Sequence, residues 1–162
     1  MKTITTISAI AAIGLSSVGF ASPAMASHFE PENTLITATG GITVTAGAVS
    51  LPCTANLGVA VDALGNARVN SATFSGLSCA GLTASNLPWP MGALTTSFNK
   101  MNFKHVTVSA VTLGVCGPGK VKATITTKGG RITISGANLP GLVPCSLSGT
   151  LTTSPHLNIR TN

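Results

Sequence analysis

The chain has 162 residues, of which only 7% are charged, against about 25% in an average globular domain. Nine are Lys or Arg, three are acids (Glu30, Glu32 and Asp62), and Tyr is absent. This balance excludes highly charged disorder and a coiled coil, and it argues against acid–base hydrolases, whose chemistry usually needs placed carboxylates. What remains, with 18 Gly and 39 Ser or Thr, is the composition of an all-β protein with many turns.

The first segment reads as an export signal. Lys2 is followed by an apolar stretch from Ile4 to Phe20, a break at Ser22-Pro23, and Ala24-Met25-Ala26, an A-x-A cleavage pattern. The stretch is too short and too diluted by Ser and Thr for a spanning helix, which needs about 20 apolar residues. Cleavage after Ala26 gives an exported protein, extracellular, surface-bound or periplasmic, with no integral membrane segment in the mature chain. The mature part, residues 27–162, is expected to be one β domain with an N-terminal arm over 27–33. It carries eight basic and three acidic residues, and no acid follows Asp62.

Strand-like alternation then recurs along the chain. Thr34 to Ala38 and Ile42 to Ala46 flank Gly40-Gly41, which predicts a hairpin turn there. Leu57 to Val61 and Arg68 to Phe74 flank Leu64-Gly65-Asn66. Residues 84–102, with Pro88, Pro90 and Gly92, read as a long loop. Phe103 to Val115 is rich in β-branched residues and suits one central strand. Val121 to Thr127 and Arg131 to Ser135 flank a Gly129-Gly130 turn, and Ser146 to Thr152 gives a last strand. Strands about every ten residues predict a single-domain β-sandwich or barrel.

The four cysteines, Cys53, Cys79, Cys116 and Cys145, all fall in the mature chain. An even count at wide spacing in an exported protein reads as two disulfides. Zinc is disfavoured, since there is no C-x-x-C and no nearby His pair. An internal repeat favours one of the three possible pairings. Each half runs Cys, strand, Gly turn, strand, Gly, Cys, so Cys53–Cys79 and Cys116–Cys145 would each staple one hairpin.

The usual catalytic constellations are missing. There is no G-x-S-x-G elbow, no P-loop, no dinucleotide fingerprint and no H-E-x-x-H. His28-x-Glu30-x-Glu32 has metal-binding residue types, but near a chain start it reads as a solvated tail. No enzyme activity, cofactor or metal is expected. Lys100, Lys104, Lys120, Lys122, Lys128 and Arg131 fall close together. They read as solubilising charges or as a surface for acidic polysaccharide; nucleic acid is not an expected partner. The sharper signal is apolar: Leu87-Pro88-Trp89-Pro90-Met91, then Phe98 and Met101. Trp89 is either the core plug under a long loop or, with Met91, Phe98 and Met101, part of an exposed hydrophobic interface.

The order Thr37-Ala38-Thr39-Gly40, Leu51-Pro52-Cys53, Ala72-Thr73-Phe74-Ser75-Gly76, Leu87-Pro88-Trp89, Cys116-Gly117-Pro118-Gly119 and Cys145-Ser146-Leu147-Ser148-Gly149 resembles the protein activator of alkane oxidation family (PraA/PraB). The resemblance spans about residues 33–155. It implies a secreted, non-enzymatic protein of Gram-negative bacteria that helps cells use n-alkanes by dispersing or emulsifying them, and it supplies no catalytic residues. The basic later half is a departure from that pattern. The expected partner is an n-alkane or other hydrophobic surface. The alternatives are a structural subunit of extracellular fibres or biofilm matrix, with Ser27 to Ala48 adding a strand to a neighbouring copy, and a surface polysaccharide-binding module.

Overall fold

A computed structural model describes residues 27–95, 97–126 and 129–161; the leader read from the sequence, residues 1–26, lies outside them. The described residues form eleven strands: β1 (Ser27–Glu30), β2 (Thr34–Ala46), β3 (Val49–Val61), β4 (Ala67–Ser75), β5 (Thr83–Ser85), β6 (Trp89–Ala93), β7 (Lys100–Ala110), β8 (Gly114–Thr126), β9 (Arg131–Leu139), β10 (Cys145–Ser154) and β11 (Asn158–Thr161). A single 3-10 turn, Leu77–Cys79, follows β4.

Eight of these strands (β2, β3, β4, β6, β7, β8, β9 and β10) close into a ring in chain order, with β10 returning to pair with β2. Every neighbouring pair is antiparallel, so the fold is an up-and-down β-barrel. The short β5 lies on β7 along the same edge as β6. β1 and β11 pair with each other as a two-stranded ribbon across one end. The Phe29 N–H donates to the Gly65 carbonyl of the β3–β4 turn, and Phe29, Leu157 and Ile159 are buried there. We call this the capped end.

Side-chain alternation fills the barrel. Along β3, Leu51, Cys53, Ala55, Leu57, Val59 and Val61 are all buried, while Pro52, Thr54 and Asn56 between them are exposed. Outward positions carry hydroxyls and amines, such as Thr37 and Thr39 on β2 and Lys122, Thr124 and Thr126 on β8. This is the reverse of a barrel that crosses a bilayer with an apolar outer band. Among the described residues, no helix is long and apolar enough to cross a membrane.

Several expectations are corrected. Gly40-Gly41 is not a turn but the middle of β2. A Cβ at Gly40 would overlap the Thr150 carbonyl oxygen of β10, so this glycine permits a close strand approach. The chain turns instead at Gly47, which has φ 57°. Residues 84–102 are not a loop: they hold part of β5, all of β6 and the start of β7. The run Phe103 to Val115 is two strands, broken by a turn in which the Leu113 N–H donates to the Ala110 carbonyl and Gly114 takes φ 73°. The N-terminal segment is built into its own chain, with Ser27–Glu30 paired to β11 and Thr34–Ala46 in the barrel wall.

At the β3–β4 turn, the Asp62 carboxylate accepts from the backbone N–H groups of Leu64 and Asn66 and from the Asn66 side chain. The Asn66 hydrogen bonds, backbone first, hold its pKa below the ordinary value of 3.8. The carboxylate form is therefore favoured by folding. Its contribution is full above the unfolded carboxylate pKa and is lost as pH falls through the lowered folded value. Amide exchange at Leu64 and Asn66 is expected to rise relative to the strands as pH drops below about 4; equal protection at pH 3 and pH 6 would remove this role.

Candidate apolar interface

The two barrel ends differ in chemistry. At the end opposite the cap lie the β2–β3 turn, the β4–β5 connection, the β7–β8 turn and the β9–β10 loop. Their residues, 46–54, 74–83, 109–118 and 138–148, include no Asp, Glu, Lys, Arg or His. They do include six exposed large apolar side chains: Val49, Leu77, Val111, Val115, Leu142 and Val143. Leu77 at 104%, Val111 at 98% and Leu142 at 104% are as open as in an isolated chain. Beneath them Leu51, Leu82 and Leu113 are buried. At the capped end stand Glu30 with Arg160 (Nε to Oε2, 2.9 Å) and His28, 3.8 Å from both Glu30 and Glu32. Asp62 belongs to the same end.

Local covalent and hydrogen-bond constraints hold the apolar rim in place. The disulfides are Cys53–Cys79 and Cys116–Cys145. The first fixes the 3-10 turn that carries Leu77. The second, with the Gly117 N–H donating to the Pro140 carbonyl at 2.6 Å, pins the loop that carries Leu142 and Val143. A Cβ at Gly141 would lie 2.8 Å from the carbonyl oxygens of both Val115 and Val143, so only glycine lets the loop fold this tightly onto β8. A Cβ at Gly47 would lie 3.3 Å from Val143 Cγ1, which places Val143 beside the β2–β3 turn.

The residues singled out from the sequence fall elsewhere. Trp89 is 4% exposed, with its indole N–H donating to the Ser85 carbonyl at 2.8 Å. Met91 and Met101 are also buried, and of the four only Phe98, in the β6–β7 connection at the capped end, is exposed. The reason is alternation. In β6, Pro90 faces outward while Trp89 and Met91 face inward, and Pro is tolerated because β6 pairs with β4 through only two residues. The Trp-Pro-Met pattern was therefore a strand signal. Trp89→Ala is expected to lower the unfolding free energy by about 3–5 kcal/mol; a denaturation midpoint unchanged from the parent would overturn this placement. The apolar rim also had a sequence signal: each of its four charge-free segments contains one cysteine.

The barrel interior has no room for a chain-like guest. Its apolar cavity, lined by Phe74, Trp89, Phe103 and Leu151 among others, measures about 30 Å³. That is about the space of one water, whereas small-molecule pockets run to about 300–1,000 Å³.

The family model described as alkane oxidation protein activator PraA/PraB-like matches residues 1–161. The chain belongs to this family. No curated protein and no solved structure matches it. The family description gives a role in activating alkane oxidation. Among the described residues, no three His, Cys, Asp or Glu side chains are grouped so as to hold a metal, and all four cysteines are in disulfides.

Proposed function

We propose that the protein is an exported, non-enzymatic surface-active protein that promotes alkane use by adsorbing at the alkane–water interface through its charge-free end. The observation that carries this reading is the segregation along the barrel axis. Six large apolar side chains ring one end, and the carboxylates with their His and Arg partners sit at the other. Burying six Val or Leu side chains in oil is worth on the order of 10 kcal/mol. No charge needs to leave water for this to happen, so the large desolvation cost of ions is avoided. The hydroxyl-rich wall and the capped end remain hydrated and keep coated droplets dispersed.

Pendant-drop tensiometry of hexadecane in water with the purified protein tests this directly. A fall in interfacial tension and longer-lived droplets are expected, relative to a hydrophilic β-protein of similar size. Tension equal to that control would sink the reading.

A further inference from the structure

Away from the apolar rim, one flank of the barrel is basic. Lys100 and Lys104 on β7, Lys120 and Lys122 on β8, and Arg131 on β9 are all exposed, on strands paired side by side. The protein's three acids lie elsewhere, on β1, on the β1–β2 connection and on the β3–β4 turn. Those on β1 and the β1–β2 connection face His28 and Arg160. This flank thus concentrates positive charge with no carboxylate among its own strands.

The flank is also concave. A groove of about 380 Å³ runs between Lys100 and Lys122 and along Thr124, Thr133 and Ser135, with Leu94 at its edge. Next to it lies a buried amide. Asn102, 6% exposed, stands between the register partners Gly92 and Lys122, and its Oδ1 has no hydrogen-bond partner. A Cβ on Gly92 would sit 3.2 Å from that oxygen and 3.6 Å from Lys104 Cε, so Lys104 and the amide lie over the same glycine. The connection that supplies Leu94 also carries the exposed Phe98 ring.

We infer that this groove binds an acidic polysaccharide, with Lys100 and Lys122 meeting carboxylates and Thr124, Thr133 and Ser135 meeting sugar hydroxyls. Ammonium groups set among neutral hydroxyl groups match a chain that alternates charge with hydroxyls. An anionic membrane fits less well, because Met101 and Ala123, the apolar side chains that β7 and β8 bring to this groove, are buried in the barrel wall and cannot insert as the apolar face of an interfacial protein does. The site is separate from the apolar rim, so one molecule has a surface for oil and another for a hydrated polymer.

The test is affinity of the purified protein for polygalacturonate, with neutral dextran and phosphatidylglycerol vesicles as comparison arms. Binding to polygalacturonate that weakens with salt is expected. The pair Lys100→Gln/Lys122→Gln should weaken it about tenfold, the loss of two charge contacts, while Lys100→Arg/Lys122→Arg retains it. Arg68→Gln/Arg160→Gln removes the same net charge outside the groove and should leave affinity within about twofold. Thermal midpoints report folding in each case. Equal loss in the Arg68/Arg160 pair, full binding by the Lys→Gln pair, equal binding to dextran, or binding to vesicles without polygalacturonate would each overturn the assignment.

Discussion

The triple variant Leu77→Ser/Val111→Ser/Leu142→Ser is expected to lose adsorption to alkane while keeping its fold. All three side chains are fully open to solvent, so their removal leaves no cavity, and surface changes of this kind usually stay within about 0.5 kcal/mol of the parent. Their transfer into oil is a different matter. Together they account for about 5 kcal/mol of apolar burial, or between about three and four orders of magnitude in the adsorption constant. The matched control is Leu35→Ser/Leu64→Ser, which removes two exposed leucines near the capped end. Hexadecane tension measured against protein concentration should shift strongly for the triple variant and little for the control. If the two variants shift equally, adsorption has no preferred end and the polarised barrel is not its cause.

Removing the disulfides should have the largest effect on stability. Each closes a loop, with sequence separations of 26 and 29 residues, and such a bond restricts the unfolded chain by about 3.5 kcal/mol. Losing both costs about 7 kcal/mol, against a total stability of about 5–15 kcal/mol for a typical domain. Their placement adds a local consequence. β8 pairs with β9 only from Ala123 to Thr126, so the half of β8 nearest the apolar rim has no ladder on that side. Cys116–Cys145 and the Cys116–Gly141 bridge close that stretch. β4 likewise pairs with β6 only at Arg68 and Val69, and Cys53–Cys79 ties the turn that follows β4 back to β3. Mild reduction followed by hydrogen exchange should therefore expose residues 111–122 and 70–82 before the capped end. Uniform loss of protection along the barrel would show that the staples act only globally.

Features set by neighbouring residues are legible in the sequence. Hairpins bracketed by cysteines are local features, so the repeat of Cys, strand, Gly turn, strand and Cys carried a pairing preference. Strand alternation at Val121 and Arg131 needed only neighbouring residues. Gly40-Gly41 has the local pattern of a turn because the role of Gly40 depends on Thr150, far along the chain, which approaches too closely for any side chain. The surroundings of Trp89 are ambiguous in the sequence because prolines on both sides suit a rigid surface loop as readily as an outward row on a barely paired strand. The apolar rim does not emerge from any one stretch of sequence, because its four segments are far apart and each alone carries only one or two exposed apolar residues.

Composition and cysteine layout by themselves determined an all-β, low-charge domain. Those properties follow from residue types and short-range spacing. Only the tertiary structure decided that the strands close into a filled barrel, which puts Trp89 inside and leaves no internal room for an alkane. It also decided that four distant charge-free segments share one end while the carboxylates share the other. Barrel closure sets which turns become neighbours, and that is a long-range property no single stretch of sequence contains.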